Sequence, residues 1–301
     1  MTKFLELTFA GISVGAQYAL VALGFVVIYR ATGVINFAQG GFVLLGAYLT
    51  YNVHQTWGVP FYLALLIAMA AGAAIGLLVE AVILRRLVGR PPFILIMVTI
   101  GLAIIIEQVT AVVWGANPLS LDDPWKLDTV TVGDLNLKVA DFWTLGLVAI
   151  ILTAFFVFFR YSKQGLAMRA TALDQEAALA QGISASRVFA LAWAIAGAVA
   201  AVAGVTLAAA GGSTGGVAPQ IEIVALAAFP AIILGGLDSP VGAVVGALII
   251  GVSQSLTAGY QPQYAPWLGQ GFALVMPYFV MLLVLMVRPY GLFGTPEVRR
   301  V

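Results

Sequence analysis

Long runs of apolar residues follow one another along nearly all of this 301-residue sequence, and they leave few architectures open. Hydrophobic residues make up 62% of the chain and charged residues 9%, a surplus of apolar side chains that one soluble core could not bury. A helix crosses about 30 Å of hydrocarbon with roughly 20 apolar residues. Because backbone groups in lipid must bond within their own segment, the apolar segments are expected to be helices. Nine segments are predicted, at about residues 4–29, 35–53, 60–84, 93–114, 142–159, 187–210, 221–236, 241–258 and 268–287.

The sequence therefore predicts an all-α, polytopic membrane protein, with residues 1–301 as one transmembrane domain. Eight or nine helices are expected to cross, since the second segment is interrupted by polar residues and glycines and is predicted to be broken or partly re-entrant, with Gly40-Gly41 as its joint.

Positive charges are distributed unevenly between the two predicted sides. If all nine segments cross, Lys3, Lys126 and Lys138 share one side, and the other side carries Arg30, Arg85, Arg86, Arg90, Arg160, Lys163, Arg169, Arg187, Arg288, Arg299 and Arg300. The positive-inside rule makes the second side, with the C-terminus, cytoplasmic. If the second segment only dips in and returns, Lys3 and Arg30 exchange sides, so charge leaves the side of the N-terminus open.

Two loops carry structure of their own. In the predicted external loop 115–141, KLDTVTV and LNLKV alternate around Gly133-Asp134, a pattern typical of a β-hairpin that is either solvated or in contact with a soluble partner. In the predicted cytoplasmic loop 160–186, Thr171 and Asp174 resemble a capping box and Gly182 supplies a stop. The spacing predicts a short helix over residues 172–181.

The chemistry of common enzyme sites is largely missing. The sequence has no cysteine, one histidine (His54), no Gly-Lys pair for a Walker A loop and no His-Glu-x-x-His motif. GGSTG at 211–215 matches the Gly-x-Ser-x-Gly pattern, but a flexible loop explains it more simply. No basic tract suggests nucleic acid. The chain is expected to be no enzyme and to hold no metal or cofactor.

Polar residues inside the apolar segments point instead to transport, because such residues are costly in lipid and usually face the bundle interior. The predicted solute pathway is formed by Asn36, Gln39, Gly40, Gly41, Glu107 and Gln108. Gln17, Glu222 and Gln254 could equally line a path or tie helices together. Glu80 is predicted to pair with Arg85 at the membrane boundary.

Several stretches resemble the LivH type of permease subunit of branched-chain amino-acid ABC transporters. They are GVINFAQGGFVLLGAY at 33–48, the loop at 165–204, LGGLDSPVGAVVGALIIG at 234–251 and RPYGLFG at 288–294. The resemblance implies a subunit of an importer in the bacterial inner membrane, with a second related permease, two cytoplasmic ATPase subunits and an extracytoplasmic solute-binding protein. Where many relatives place a histidine and an acidic residue, this chain has Ala38-Gln39-Gly40-Gly41, which leaves urea or short amides as alternative solutes.

The resemblance also implies a contact for the ATPase. The loop matches the Glu-Ala-Ala-x-x-x-Gly coupling motif of ABC importers, and the predicted coupling residues are Arg169, Thr171, Asp174, Glu176, Ala177, Ala178 and Gly182. The main alternative from the residues alone is an ion-coupled secondary transporter, for which Glu107 is the deeply placed carboxylate. A channel would need rings of one residue type from several subunits.

Overall fold

The computed structural model describes residues 1–87, 90–209, 214–269 and 271–295, and most of them are helical. The α-helices in these ranges are α1 (Thr2–Thr32), α2 (Gln39–Tyr51), α3 (Phe61–Val82), α4 (Pro92–Trp114), α5 (Val139–Tyr161), α6 (Lys163–Leu173), α7 (Gln175–Ala180), α8 (Ala185–Ala208), α9 (Gln220–Leu226), α10 (Phe229–Gly235), α11 (Pro240–Tyr264) and α12 (Phe272–Val287). Two strands, β1 (Thr129–Val132) and β2 (Leu135–Lys138), pair antiparallel and confirm the predicted hairpin.

Six of the described helices are long and apolar enough to cross a membrane: α1, α3 (extended to Leu87 by a 3₁₀ turn), α4, α5, α8 and α11. Three further passes are built from shorter pieces. The second is the non-helical stretch 33–38 followed by α2 and a π turn at Asn52–Thr56; the seventh is α9 and α10 in succession; the last is α12. Within the described ranges this agrees with the prediction of eight or nine transmembrane helices.

The N-terminus lies at the same end of the bundle as the hairpin. The Asn136 backbone N–H donates to Glu6 Oε1 at 2.8 Å, and the Gln55 side chain at the end of the second pass donates to the Leu121 carbonyl at 3.3 Å. The second pass therefore leaves α1 at the far end and returns to the hairpin end, so it is a broken crossing and the re-entrant alternative is wrong. We call the opposite end, which carries Arg30, Arg85 and the loop 160–186, the basic end.

Glycines bring several helices into backbone contact. A Cβ at Gly72 of α3 would collide with the Gly197 carbonyl of α8, and Gly15 of α1 lies so close to α11 that its Cβ would stand 2.7 Å from the Leu248 Cα. Such faces let helices pack tightly in lipid, where no hydrophobic drive between helices exists. The bundle is therefore held by close α1–α11 and α3–α8 pairs.

This packing predicts opposite effects for one substitution at two glycines. Gly72→Ala places a methyl group against a backbone carbonyl and should destabilise the chain by about 1–3 kcal/mol. Gly101→Ala in α4, where no described atom lies within 4 Å of the Cβ position, should be neutral or slightly stabilising. Melting of the detergent-purified protein measures both, and equal melting temperatures would contradict the tight α3–α8 contact.

The segment after α12 folds back onto the end of α10. The N–H groups of Leu292 and Phe293 donate to the carbonyls of Leu234 and Gly235 at 2.8 and 3.0 Å, and the Thr295 N–H donates to the Asp238 carboxylate. These bonds satisfy carbonyls that the last turn of a helix leaves without partners. We call residues 288–295 the C-terminal strap; it closes the basic end beside α10 and α11.

Candidate solute pathway and coupling helix

The break between α1 and α2 places polar groups inside the bundle. Gly33 has the left-handed φ of 71° that ends α1, and the chain then runs without helix to Ala38. Asn36, 1% exposed, accepts the Ala38 N–H at its Oδ1 (3.0 Å). The Phe37 N–H donates to Thr99 Oγ1 of α4 at 3.2 Å. Non-helical backbone at this depth is thus satisfied by side chains, as it must be where lipid offers no partner.

Gln39 fills the space between α1 and α8. It is fully buried, its Nε2 lies 3.4 Å from the Ala196 carbonyl of α8, and its Oε1 lies 3.5 Å from Asn36 Nδ2. A Cβ at Gly24 of α1 would overlap the Gln39 amide, so Gly24 creates the room for it. The two amides predicted to line the pathway are therefore adjacent and linked.

The prediction that Gly40 and Gly41 form the joint of this segment is wrong. Both lie in the first turn of α2, and the joint is the stretch from Gly33 to Ala38. A Cβ at Gly40 would stand 3.1 Å from the Glu222 Cγ of α9, and one at Gly41 would stand 3.3 Å from Ile106 of α4. The pair lets α9 and α4 pack against α2, a contact between distant segments that local spacing does not reveal.

Two carboxylates approach the start of α2 from neighbouring helices. Glu107 is half-buried and close enough to Glu222 for the two to interact electrostatically, whereas Gln108 is exposed on the outer face of α4. Glu222 Oε2 is buried without a hydrogen-bond partner among the described residues. The structure thus brings Glu107 and Glu222 to the start of α2 but leaves Gln108 outside this group.

The other intramembrane amides hold helices together. The Gln17 side chain donates to the Thr206 carbonyl of α8 at 3.1 Å. The Tyr18 hydroxyl donates to Gln254 Oε1 of α11 at 2.8 Å. For these two residues, the geometry favours the structural interpretation that the sequence left open.

A cavity of about 310 Å³ connects the polar break with the basic end. Asn36 and Thr99 line it deep in the bundle, and Arg90 and Gln175, both exposed, line it at the basic end. Glu80 lies in its wall, 1% exposed, and its carboxylate accepts from Arg85 at 2.7 Å, which confirms the predicted pair. Thr99 is not predictable from the sequence, since an isolated threonine in an apolar helix carries no signal until packing places it beside Phe37.

The loop 160–186 contains two helices and not one. Ser162 caps α6, and Thr171 lies inside α6, where its hydroxyl donates to the Ala167 carbonyl at 2.9 Å. The prediction that Thr171 caps the short helix is therefore wrong. The chain is extended at Asp174 (φ −156°), whose carboxylate accepts the Ala177 N–H at 2.9 Å and caps α7. Because the residues before Thr171 are good helix formers, α6 continues past Thr171 to Leu173. The cap of α7 is therefore Asp174, the next residue whose side chain can accept a bond from a backbone N–H.

The predicted stop is confirmed. Gly182 has φ +82°, and its N–H donates to the Leu179 carbonyl while the Ile183 N–H donates to the Ala178 carbonyl. This is the bonding of a helix end closed by a left-handed residue. α7 is thus a six-residue helix closed at both ends.

The surface of α7 is open on the basic end. Glu176 and Ala177 are exposed, Ala178 is buried, and the large apolar side chains of Leu173 and Leu179 are 85% and 50% exposed. Arg169 faces inward instead: its Nη1 donates to the Phe159 and Arg160 carbonyls at the end of α5. Arg169 therefore fastens α6 to α5, while α7 presents the free surface.

Of the two residues considered for catalysis, the structure describes only His54. His54 Nδ1 lies 2.7 Å from the Val59 carbonyl, an ordinary local contact, and Ser213 of the GGSTG stretch lies outside the described residues. Across the described ranges, no group of three metal-ligating side chains is found.

A bundle of apolar helices with a polar break inside it and a cavity leading from that break to one end is the architecture of a membrane permease. The sequence matches the family described as "Branched-chain amino acid transport system / permease component" over residues 7–285. The chain belongs to this family.

Curated relatives cover the chain from end to end. The high-affinity branched-chain amino acid permease protein LivH of Salmonella typhimurium strain LT2 is 32% identical over 99% of this chain and 98% of its own length. BraD of Pseudomonas aeruginosa PAO1 is 30% identical with the same coverage. LivM of Escherichia coli K12 is 26% identical over 91% of this chain and 67% of its own length. Among solved structures, PsaBC from Streptococcus pneumoniae in complex with Fab is 17% identical, with a TM-score of 0.47 over 96% of this chain and 93% of that one.

Proposed function

We propose that this permease is one of two membrane subunits of an ATP-driven importer for branched-chain amino acids. The observation that carries the proposal is the broken second pass, which puts Asn36, linked to the Gln39 amide, in the wall of a cavity that ends beside α7. Full-length similarity to LivH and BraD, both described as branched-chain amino acid permeases, supports the solute class. Urea or a short amide remains the second candidate, because Ala38 and Gln39 replace titratable residues.

The proposed partners are inferred from the lack of a Walker A loop in the sequence and from the exposed surface of α7. No Walker A loop is present in the sequence, so two ATPase subunits are needed, and α7 with exposed Glu176 and Leu179 is their docking element at the basic end. The second permease is a related chain of the LivM type, a protein to which this chain is itself similar. An extracytoplasmic binding protein delivers the solute at the hairpin end.

The orientation follows from charge. Lys3, Lys126 and Lys138 lie at the hairpin end, and the remaining lysines and arginines of the described chain lie at the other. By the positive-inside rule, the basic end and the C-terminus are cytoplasmic and the N-terminus is external. The membrane is the bacterial inner membrane.

Uptake by the reconstituted complex tests the proposal. Proteoliposomes that contain both permeases and the ATPase subunits, with the binding protein outside, should accumulate leucine, isoleucine or valine when ATP is enclosed and none when it is omitted. Uptake that persists without ATP and collapses with the proton gradient would contradict the proposal and favour an ion-coupled transporter built around Glu107. Uptake of urea in place of amino acids would overturn the solute class alone.

A further inference from the structure

The cavity at the basic end is lined by several segments of this one chain. Among the described residues, its wall is formed by the end of α1, the stretch before α2, α3 with its 3₁₀ turn, α4, α7 and α8. At about 310 Å³ it falls at the lower end of the range for small-molecule sites, which run from about 300 to 1,000 Å³.

The lining carries charges of both signs. The Glu80 carboxylate accepts two bonds from Arg85, at 3.3 Å and 2.7 Å, but a carboxylate has about four acceptor positions, so Glu80 can accept an additional donor. Arg90 lines the same cavity and carries an always-charged guanidinium suited to a carboxylate. Deeper in, Asn36 and Thr99 add neutral polar groups. A ligand that bears both an ammonium and a carboxylate finds a partner for each.

Apart from Thr32 and Gln175, the rest of the described wall is apolar. Ile28, Ile35, Leu84, Leu95, Phe189 and Trp193 line the cavity. A mainly hydrophobic pocket with a few placed polar groups is typical of sites that bind small, partly apolar molecules. An aliphatic side chain matches this wall, while urea, which has no apolar part, leaves it uncovered.

From these three features we infer that the cavity is an internal binding site for a zwitterionic amino acid with an aliphatic side chain, occupied before release at the basic end. The inference rests on the proposed function and adds the site and its chemistry. Gln175, the first residue of α7, forms part of the wall, so a movement of α7 changes the cavity directly. The same short helix, α7, then both forms part of the cavity wall and contacts the ATPase, so no additional segment has to connect the two.

The chain has no cysteine, so single cysteines can be introduced without removing any. Leu95→Cys places a thiol in the cavity wall; Leu102→Cys is the matched control, half-buried on nearly the same face of α4 two turns further on, and not among the cavity's lining residues. The assembled, nucleotide-free complex in inside-out vesicles is treated with a charged methanethiosulfonate reagent, with or without L-leucine. Modification is measured on this chain after electrophoretic separation.

We expect the reagent to modify Leu95→Cys and leave Leu102→Cys largely unmodified. L-Leucine at ten times its half-saturating concentration should slow the modification about tenfold, as mass action requires for a site it occupies, and urea should not. Modified Leu95→Cys complex, reconstituted into proteoliposomes with ATP enclosed and the binding protein outside, should then lose leucine uptake. If Leu95→Cys fails to assemble, Ile35→Cys places the thiol in the same wall.

Equal modification of the two α4 variants, or no protection by leucine, would overturn the site. Protection by urea in place of leucine would overturn its ligand class. Wild-type complex is assayed for leucine uptake in parallel: uptake without protection refutes this inference alone, whereas absence of uptake of any branched-chain amino acid refutes the proposed function on which it rests.

Discussion

Replacement of Gly182 by valine is expected to abolish ATP-driven import while leaving the permease in the membrane. Gly182 has φ +82°, which costs an L-residue about 1–2 kcal/mol, and more where the side chain is β-branched. The two backbone bonds that close α7, from Gly182 to Leu179 and from Ile183 to Ala178, depend on that conformation. Their loss displaces the proposed docking element. Co-purification of the ATPase subunits and the solute-stimulated ATPase rate should both fall sharply.

Gly58→Val is the matched control for this substitution. Gly58 has φ +69°, and, like Gly182, it has no described atom within 4 Å of its Cβ position, but it lies at the hairpin end. The two variants carry a similar backbone penalty, so only Gly182→Val should uncouple hydrolysis from import. Glu176→Lys reverses an exposed charge on α7 without backbone strain and should weaken ATPase association as well. Normal association and ATPase rates in both α7 variants would exclude this loop from coupling.

Gln39→Leu is expected to lower transport by about tenfold or more in complexes that still assemble. The substitution keeps much of the side-chain volume but removes the partner of Asn36 Nδ2 and of the Ala196 carbonyl, and each buried polar group left unpaired costs about 1–3 kcal/mol. It also removes an amide that can exchange bonds with a passing solute. Leucine uptake per assembled complex, with Asn36→Leu and the double variant alongside, measures the effect.

Gln17→Leu provides the contrast. Gln17 is also a buried amide bonded to a carbonyl of α8, but its bond is to Thr206, whereas the Gln39 amide lies 3.5 Å from Asn36, which lines the cavity. The substitution Gln17→Leu should lower the melting temperature of the complex and leave transport per assembled complex nearly unchanged. A double Asn36/Gln39 variant with normal transport would assign those amides to structure and remove them from the pathway.

Features that depend on local sequence were predictable. The apolar segments, the hairpin around Gly133, the pair of Glu80 with Arg85 and the stop at Gly182 each rest on residues within a few positions of one another, and the structure confirms them. The predicted start of the short helix was wrong even though it depends on local sequence. Thr171 and Asp174 are both good caps, and the sequence alone does not say where α6 ends.

Features that depend on tertiary contact were out of reach. The glycines at 40 and 41 suggested a flexible joint, yet the space beside them is filled by Glu222 and Ile106 from other helices. The same holds for Thr99 at the break and for the cavity, whose walls come from segments far apart in the chain. The side of the N-terminus was likewise undecided by charge, and the contact between Glu6 and Asn136 decides which end of the bundle it occupies.

The C-terminal strap gives this chain a fixed order of completion during synthesis. The last carbonyls of α10, at Leu234 and Gly235, receive their partners from Leu292 and Phe293, almost sixty residues later. At roughly 5–20 residues per second, a ribosome needs about 3–12 s to produce them. Until then the two carbonyls lack the backbone partners that the folded chain gives them. A polypeptide released before residue 292 therefore has two backbone carbonyls at the end of α10 without these partners, and this distinguishes it from the full-length chain.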